Sequence, residues 1–229
     1  MCFSAAGSFA LAGVLGAVGA ASLARTSSGR HRMFAAVPLV FAAQQATEGV
    51  VWLTMADPAS SLLNRLAVST FLGFALVIWP FWVPLSVRTM ERSEARRRAL
   101  TALAWFGGLV SVSAVLLLSR WQPVARISGH SIRYDYPGTG DAPTHFLLLV
   151  AYAGCVVVPL FLSTAKLART IGVVLVVSVM MTLVIERDAF TSVWCFFAAI
   201  LSGLIAVAVD RDQRLSSISL TEQLSPAQP

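Results

Sequence analysis

Residues 99–119 read ALTALAWFGGLVSVSAVLLLS, a run with no charged side chain, set between Arg96-Arg97-Arg98 and Arg120. A bilayer core about 30 Å thick takes roughly 20 mostly apolar residues of helix, so the run predicts a membrane span with basic residues at both edges. Its apolar residues are continuous and do not alternate with period two, which excludes a barrel strand. Outward from this stretch the same pattern recurs at Ser4–Ala24, Met33–Met55, Leu62–Val87, His145–Thr164, Thr170–Ile185 and Phe190–Val209. The composition agrees: of 229 residues 57% are hydrophobic and only 12% charged, too few to clothe a soluble domain of this size. The expected fold is an all-α integral membrane protein, a bundle of seven transmembrane helices in residues 1–210, followed by a polar, disordered tail at 211–229.

The first run ends in small residues, Gly16–Ala24, as a secretory signal does, but residues 1–24 contain no Lys or Arg and the basic cluster follows the run. A retained helix is therefore expected. With seven spans, twelve basic residues fall on one face, among them Arg25, Arg30, Arg32, Arg88, Arg92 and Arg96–Arg98, and five on the other. The basic-rich face is assigned to the cytoplasm, with the amino terminus outside and the carboxyl terminus inside. The formal charge of +6 is then a threading signal. The densest basic run has no interleaved aromatics, so no nucleic acid is expected; the loop 88–98 is expected to attract anionic lipid headgroups. The long external connection, 120–144, carries Ile132, Tyr134 and Tyr136 alternating with Arg133 and Asp135 before Pro137-Gly138, which reads as a short strand or hairpin over the external mouth. Trp121, Trp79 and Trp82 suit an aromatic belt. Small residues at Ala12, Gly16, Ala20 and at Ala198, Ser202, Ala206 mark faces for close helix packing.

Polar residues inside spans are costly and few. Gln44, Gln45 and Glu48 share one face of the second span, with Trp52 one turn beyond. Glu48 lies about 10 Å along the helix from the external end, where an ionised carboxylate needs a partner or a proton; the plainer alternative is an interhelical hydrogen bond that fixes packing. The threading brings Cys2, His145, Glu186 and Trp194-Cys195 to the same side of the membrane. Cys2, Glu48, His145 and Cys195 are a donor set that suits Zn²⁺ or a copper ion, with Gln44, Gln45, Trp52 and Glu186 as supporting groups. If the site is catalytic, Glu48 is the candidate general base. The alternatives are a Cys2–Cys195 disulfide on the oxidising side, a helix-capping role for His145 and an interfacial ion pair of Glu186 with Arg187 or Arg133. Cys155, near mid-membrane, reads as an inert buried thiol.

The opening Met1-Cys2-Phe3-Ser4-Ala5, the stretch Gln44-Gln45-x-x-Glu48-Gly49-x-x-Trp52 and the segment Ser192–Ala199 resemble an uncharacterised family of small bacterial multi-pass membrane proteins. The resemblance implies a bacterial inner-membrane protein and draws attention to Cys2, Glu48 and Cys195; it implies no activity. Likeness to alkaline ceramidase-like hydrolases is confined to the topology, since this chain has only three His. Sugar transporters built of two three-helix repeats share the span count, and Glu48 and Glu186 sit near the ends of corresponding spans, without the proline–glutamine pair of that family. Three functions follow: a membrane metalloenzyme or metal sensor; a small proton-coupled transporter or channel using Glu48; a structural membrane subunit.

Overall fold

A computed structural model describes residues 4–55, 61–135 and 142–185 and, of the last hydrophobic stretch, residues 194, 197, 199–204 and 206. Helix α1 (Ala5–Arg25) begins at Ser4, whose hydroxyl accepts from the Gly7 N–H, satisfying one of the donors that a helix start leaves open. Helices α2 (Gly29–Ala35) and α3 (Val37–Thr54) follow with Pro38 at the start of α3, where its missing N–H costs nothing. The third hydrophobic run is α4 (Leu62–Leu72), a π-helical segment at Gly73–Ile78, and α5 (Trp79–Met90). Helix α6 (Glu94–Arg120) is the run quoted above, extended at its start by the charged turn Glu94–Arg98. Helices α7 (Ala142–Leu162) and α8 (Lys166–Ile185) complete the regular elements, and residues 199–204 are helical.

Among the described residues four helices are long and apolar enough to cross a membrane: Ala5–Arg25, Gly29–Thr54, Leu62–Met90 and Glu94–Arg120. Leu147–Leu162 and Ala168–Thr182 are shorter apolar helices. These six correspond to the first six expected spans with ends shifted by a few residues. Phe190–Val209 and the tail 211–229 fall largely or wholly outside the described residues. Large apolar side chains such as Trp105, Leu109 and Leu116 point outward from α6, as they must if the surroundings are lipid.

Helices α1 and α3 pack antiparallel. A Cβ at Gly19 would meet the Leu39 backbone N at 2.8 Å, one at Gly16 lies 3.9 Å from the Ala42 Cβ, and one at Gly49 would meet the Phe9 ring at 2.8 Å. The buried stripe of α1 is Ser8, Leu15, Gly19 and Ser22, so Ala20, expected in the contact, is instead exposed. The stripe turns because Leu39 seats against Gly19, which only a residue without a side chain permits. Ser202 and Ala206 are buried as expected, and the space above Gly203 abuts Leu15.

The connection between α6 and α7 carries a two-stranded antiparallel hairpin, β1 (Val124–Ser128) with β2 (Ser131–Asp135). It turns at Gly129, whose φ of +58° is the one positive value among the described residues and the conformation glycine adopts without strain. Ile132 and Tyr134 face inward onto α4, with Tyr134 stacked on Phe71 at 5.0 Å. Tyr136, Pro137 and Gly138 lie outside the described residues.

Candidate functional site

Gln44, Gln45 and Glu48 project from one face of α3 and are completely buried. Their burial follows from position. Helix α1 runs along the neighbouring flank of α3, against Leu39, Ala42 and Gly49, and the Phe9 ring covers Gly49 one residue beyond Glu48. Val51, on the next turn, belongs to the apolar cluster under the hairpin, so that cluster and the hairpin cover the same end of the bundle. The third hydrophobic run closes the other side: the Trp79 indole Nε1–H donates to Gln44 Oε1 at 3.0 Å, with the Trp79 ring stacked on Phe41 at 4.1 Å. Trp79 is thus an interior residue, 5% exposed, and not the interfacial belt residue that its place near a span end suggests. An indole N–H that can reach a buried acceptor is held inside by it. No periodicity in the sequence signals this, because the partner lies 35 positions away.

Two further atoms belong to this seam. Ser8 is fully buried on the α1 face that meets α3, at the level of Glu48 and Gly49, and neither its hydroxyl oxygen nor Gln44 Nε2 has a hydrogen-bond partner among the described residues. Buried polar atoms in an apolar surround cost free energy until something polar meets them.

The remaining expected ligands are placed unevenly. Cys2, Cys195 and Glu186 lie outside the described residues, and His145 falls in the first turn of α7 with its side chain outside them. Among the described residues no three His, Cys, Asp or Glu side chains converge. Cys2 precedes Ser4, the cap of the helix whose Phe9 ring packs against Gly49. Trp194, adjacent to Cys195, packs edge-on against Tyr152 at 5.7 Å and shares with Phe41 and Trp79 the lining of a cavity of about 60 Å³. Position 145 lies two turns before Tyr152 on α7. Trp52 is half-buried one turn beyond Glu48. Arg133 pairs with Asp135 at 2.8 Å, while its expected pair with Glu186 lies outside the described residues, and Cys155 is free and buried, as expected.

The structural class is then a helical protein with several membrane-length apolar helices and a buried amide–carboxylate seam. The chain belongs to DUF6629, a family of unknown function, whose model matches residues 1–219. Comparison with curated proteins and with solved structures gives no match.

Proposed function

We propose that this chain is a multi-pass protein of the bacterial inner membrane, with its amino terminus outside, whose functional centre is the Glu48 seam. In this reading Glu48, Cys2, His145 and Cys195 hold Zn²⁺ or a copper ion, while Gln44, Gln45, Trp52 and Glu186 orient the ligands. The observation that carries it is the complete burial of Gln44, Gln45 and Glu48 side by side on α3, since intramembrane carboxylates mark functional sites far more often than packing alone requires. A bound metal would supply Lewis acidity. In the catalytic case Glu48 would accept a proton from the activated group; in the sensor case the same ligands would bind and release the ion, Glu48 taking up a proton as the ion leaves.

The test is elemental analysis with intact-mass measurement on the detergent-purified full chain made from its native start. Stoichiometric metal with free thiols is expected, and Glu48→Gln should lose the metal while keeping the helical fold. Metal retained in that variant, or a metal-free protein carrying a Cys2–Cys195 disulfide, would end the proposal.

A second reading, proton-coupled transport through Glu48, draws support from the π-helical segment Gly73–Ile78 and from Pro80 and Pro84 just beyond it. π-helical turns inside α-helices occur frequently at functional sites. It predicts proton-coupled uptake into vesicles that Glu48→Gln abolishes with the fold intact.

A further inference from the structure

On the face of the bundle where α2 begins, α5 ends and α6 begins, a cleft of about 420 Å³ is lined by Gly29, Arg30, Arg88, Thr89, Glu91, Arg92 and Arg97. Four arginines and one glutamate line it, and the glutamate carboxylate is already engaged. Glu91 accepts from the Arg92 N–H at 2.9 Å, the Ser93 N–H at 3.0 Å and the Thr164 N–H at 2.8 Å, and from the Thr164 hydroxyl at 2.9 Å. It is spent on backbone donors and forms no ion pair with the arginines beside it. Among the described residues Arg30 and Arg92 have neither an ion-pair nor a side-chain hydrogen-bond partner, while Arg97 has only a 3.5 Å pair with exposed Glu94.

The frame beneath these side chains is fixed. Arg88 Nε donates to Thr101 Oγ1 at 2.7 Å, which aims its terminal nitrogens while leaving them available. The Thr89 hydroxyl donates to the Arg30 carbonyl at 2.8 Å, tying the start of α2 to the end of α5. Two stretches far apart in sequence, at Arg30 and at Arg88–Arg97, therefore present planar, multidentate cations to one concave space, the arrangement that favours phosphate oxygens over a diffuse counterion cloud.

We propose that this cleft is a binding site for a phosphate-bearing anion, gripped by Arg30, Arg88, Arg92 and Arg97. The chemistry is common to an anionic lipid headgroup and to a free phosphate compound. The site is independent of the Glu48 reading. It is also more specific than general attraction of the basic loop to a membrane, because it depends on Arg30, which lies outside that loop.

The full chain in neutral detergent is titrated calorimetrically with inorganic phosphate. In parallel it is reconstituted in nanodiscs of phosphatidylcholine with phosphatidylglycerol, and the lipids it retains are counted by native mass spectrometry. Saturable phosphate binding identifies a soluble ligand; preferential retention of phosphatidylglycerol without phosphate binding identifies a headgroup. In either case R30Q/R92Q should weaken binding by about tenfold or more, with an unchanged melting temperature because neither side chain supports the fold. R25Q/R98Q removes the same charge outside the cleft and should change binding less than about twofold, since exposed charges at a distance are screened. Absence of saturable binding in both arms, or equal weakening by the two double variants, would overturn the site.

Discussion

Gly107 and Gly108 are adjacent in α6 and have opposite surroundings. A Cβ at Gly107 would run into the Pro80 carbonyl, whereas one at Gly108 meets nothing within 4 Å. The close approach has a cause in α5: Pro84 lacks the N–H that would otherwise return to the Pro80 carbonyl one turn earlier, and its ring pushes that carbonyl outward. Only a residue without a side chain can face it. Gly107→Ala should therefore destabilise the protein by about 1–3 kcal/mol, and Gly108→Ala should be neutral or stabilising by up to about 1 kcal/mol through helix propensity, as read by thermal unfolding in one detergent. Equal effects would show that α5 and α6 do not make this contact. At this scale the sequence is most legible where a residue is conspicuous in its setting. Gln44, Gln45 and Glu48 stand out in an apolar run, and all three prove buried. Trp79 misleads because an indole near a span end fits an interface equally well, and only its bond to Gln44 decides.

Among the elements, the third hydrophobic run shows how a broken helix is repaired. Pro80 and Pro84 withhold two N–H groups near the π-helical segment, and the carbonyls there take donors from other helices. The Tyr152 hydroxyl of α7 donates to the Ala75 carbonyl at 2.8 Å, and the Ser111 hydroxyl of α6 donates to the Val77 carbonyl at 2.6 Å. In the proposed membrane setting no water can substitute for either donor. Tyr152→Phe should thus cost about 1–2 kcal/mol, measured as a lowered denaturation midpoint, and it should loosen α7 against α5 more than α1 against α3; hydrogen exchange resolved by peptide separates the two. A midpoint identical to wild type would mean that the Ala75 carbonyl finds its donor elsewhere. In the sequence this run reads as one regular span; the π-helical turn and its donors are not legible there, since the donors lie 77 and 34 positions away. The hairpin was half legible for a related reason. β2 alternates inward Ile132 and Tyr134 with exposed Arg133, whereas β1 turns Ile127 outward and buries Ala125, so β1 carries no readable pattern. Arg126 and Arg133 face each other across the ladder, and Asp135 pairs with both, at 3.4 and 2.8 Å, offsetting a like-charge pair that would otherwise be unfavourable.

For the whole molecule, helix length and hydropathy were legible because the apolar runs are long and bounded by charge, but what joins the runs was not. One junction is Glu91, 5% exposed at the end of α5. It reaches Thr164 in the connection between α7 and α8, 73 positions away, while Arg96 Nη1 donates to the Leu162 carbonyl at 2.7 Å and Arg169 Nη2 to the Thr164 carbonyl at 3.1 Å. Two connections between helices are thereby clamped into one layer. Burial by itself would raise the Glu91 pKa, but the hydrogen bonds from Ser93, Thr164 and Arg92 outweigh it and hold the carboxyl below its ordinary value of 4.5. A depressed folded-state pKa means that the unfolded chain binds the proton more readily. The stabilisation is therefore complete at neutral pH, falls once the pH drops below the ordinary value, and is gone below the folded-state value. Glu91→Gln replaces one acceptor oxygen by an amide nitrogen that faces N–H donors, so it should cost about 1–3 kcal/mol at pH 7 and lose the acid-dependent decline assigned to this group. Melting curves of both proteins between neutral pH and pH 3 decide the matter. Convergence toward acid places the clamp at Glu91, whereas parallel curves would show that the two connections are held together by helix packing and the arginine–carbonyl bonds alone.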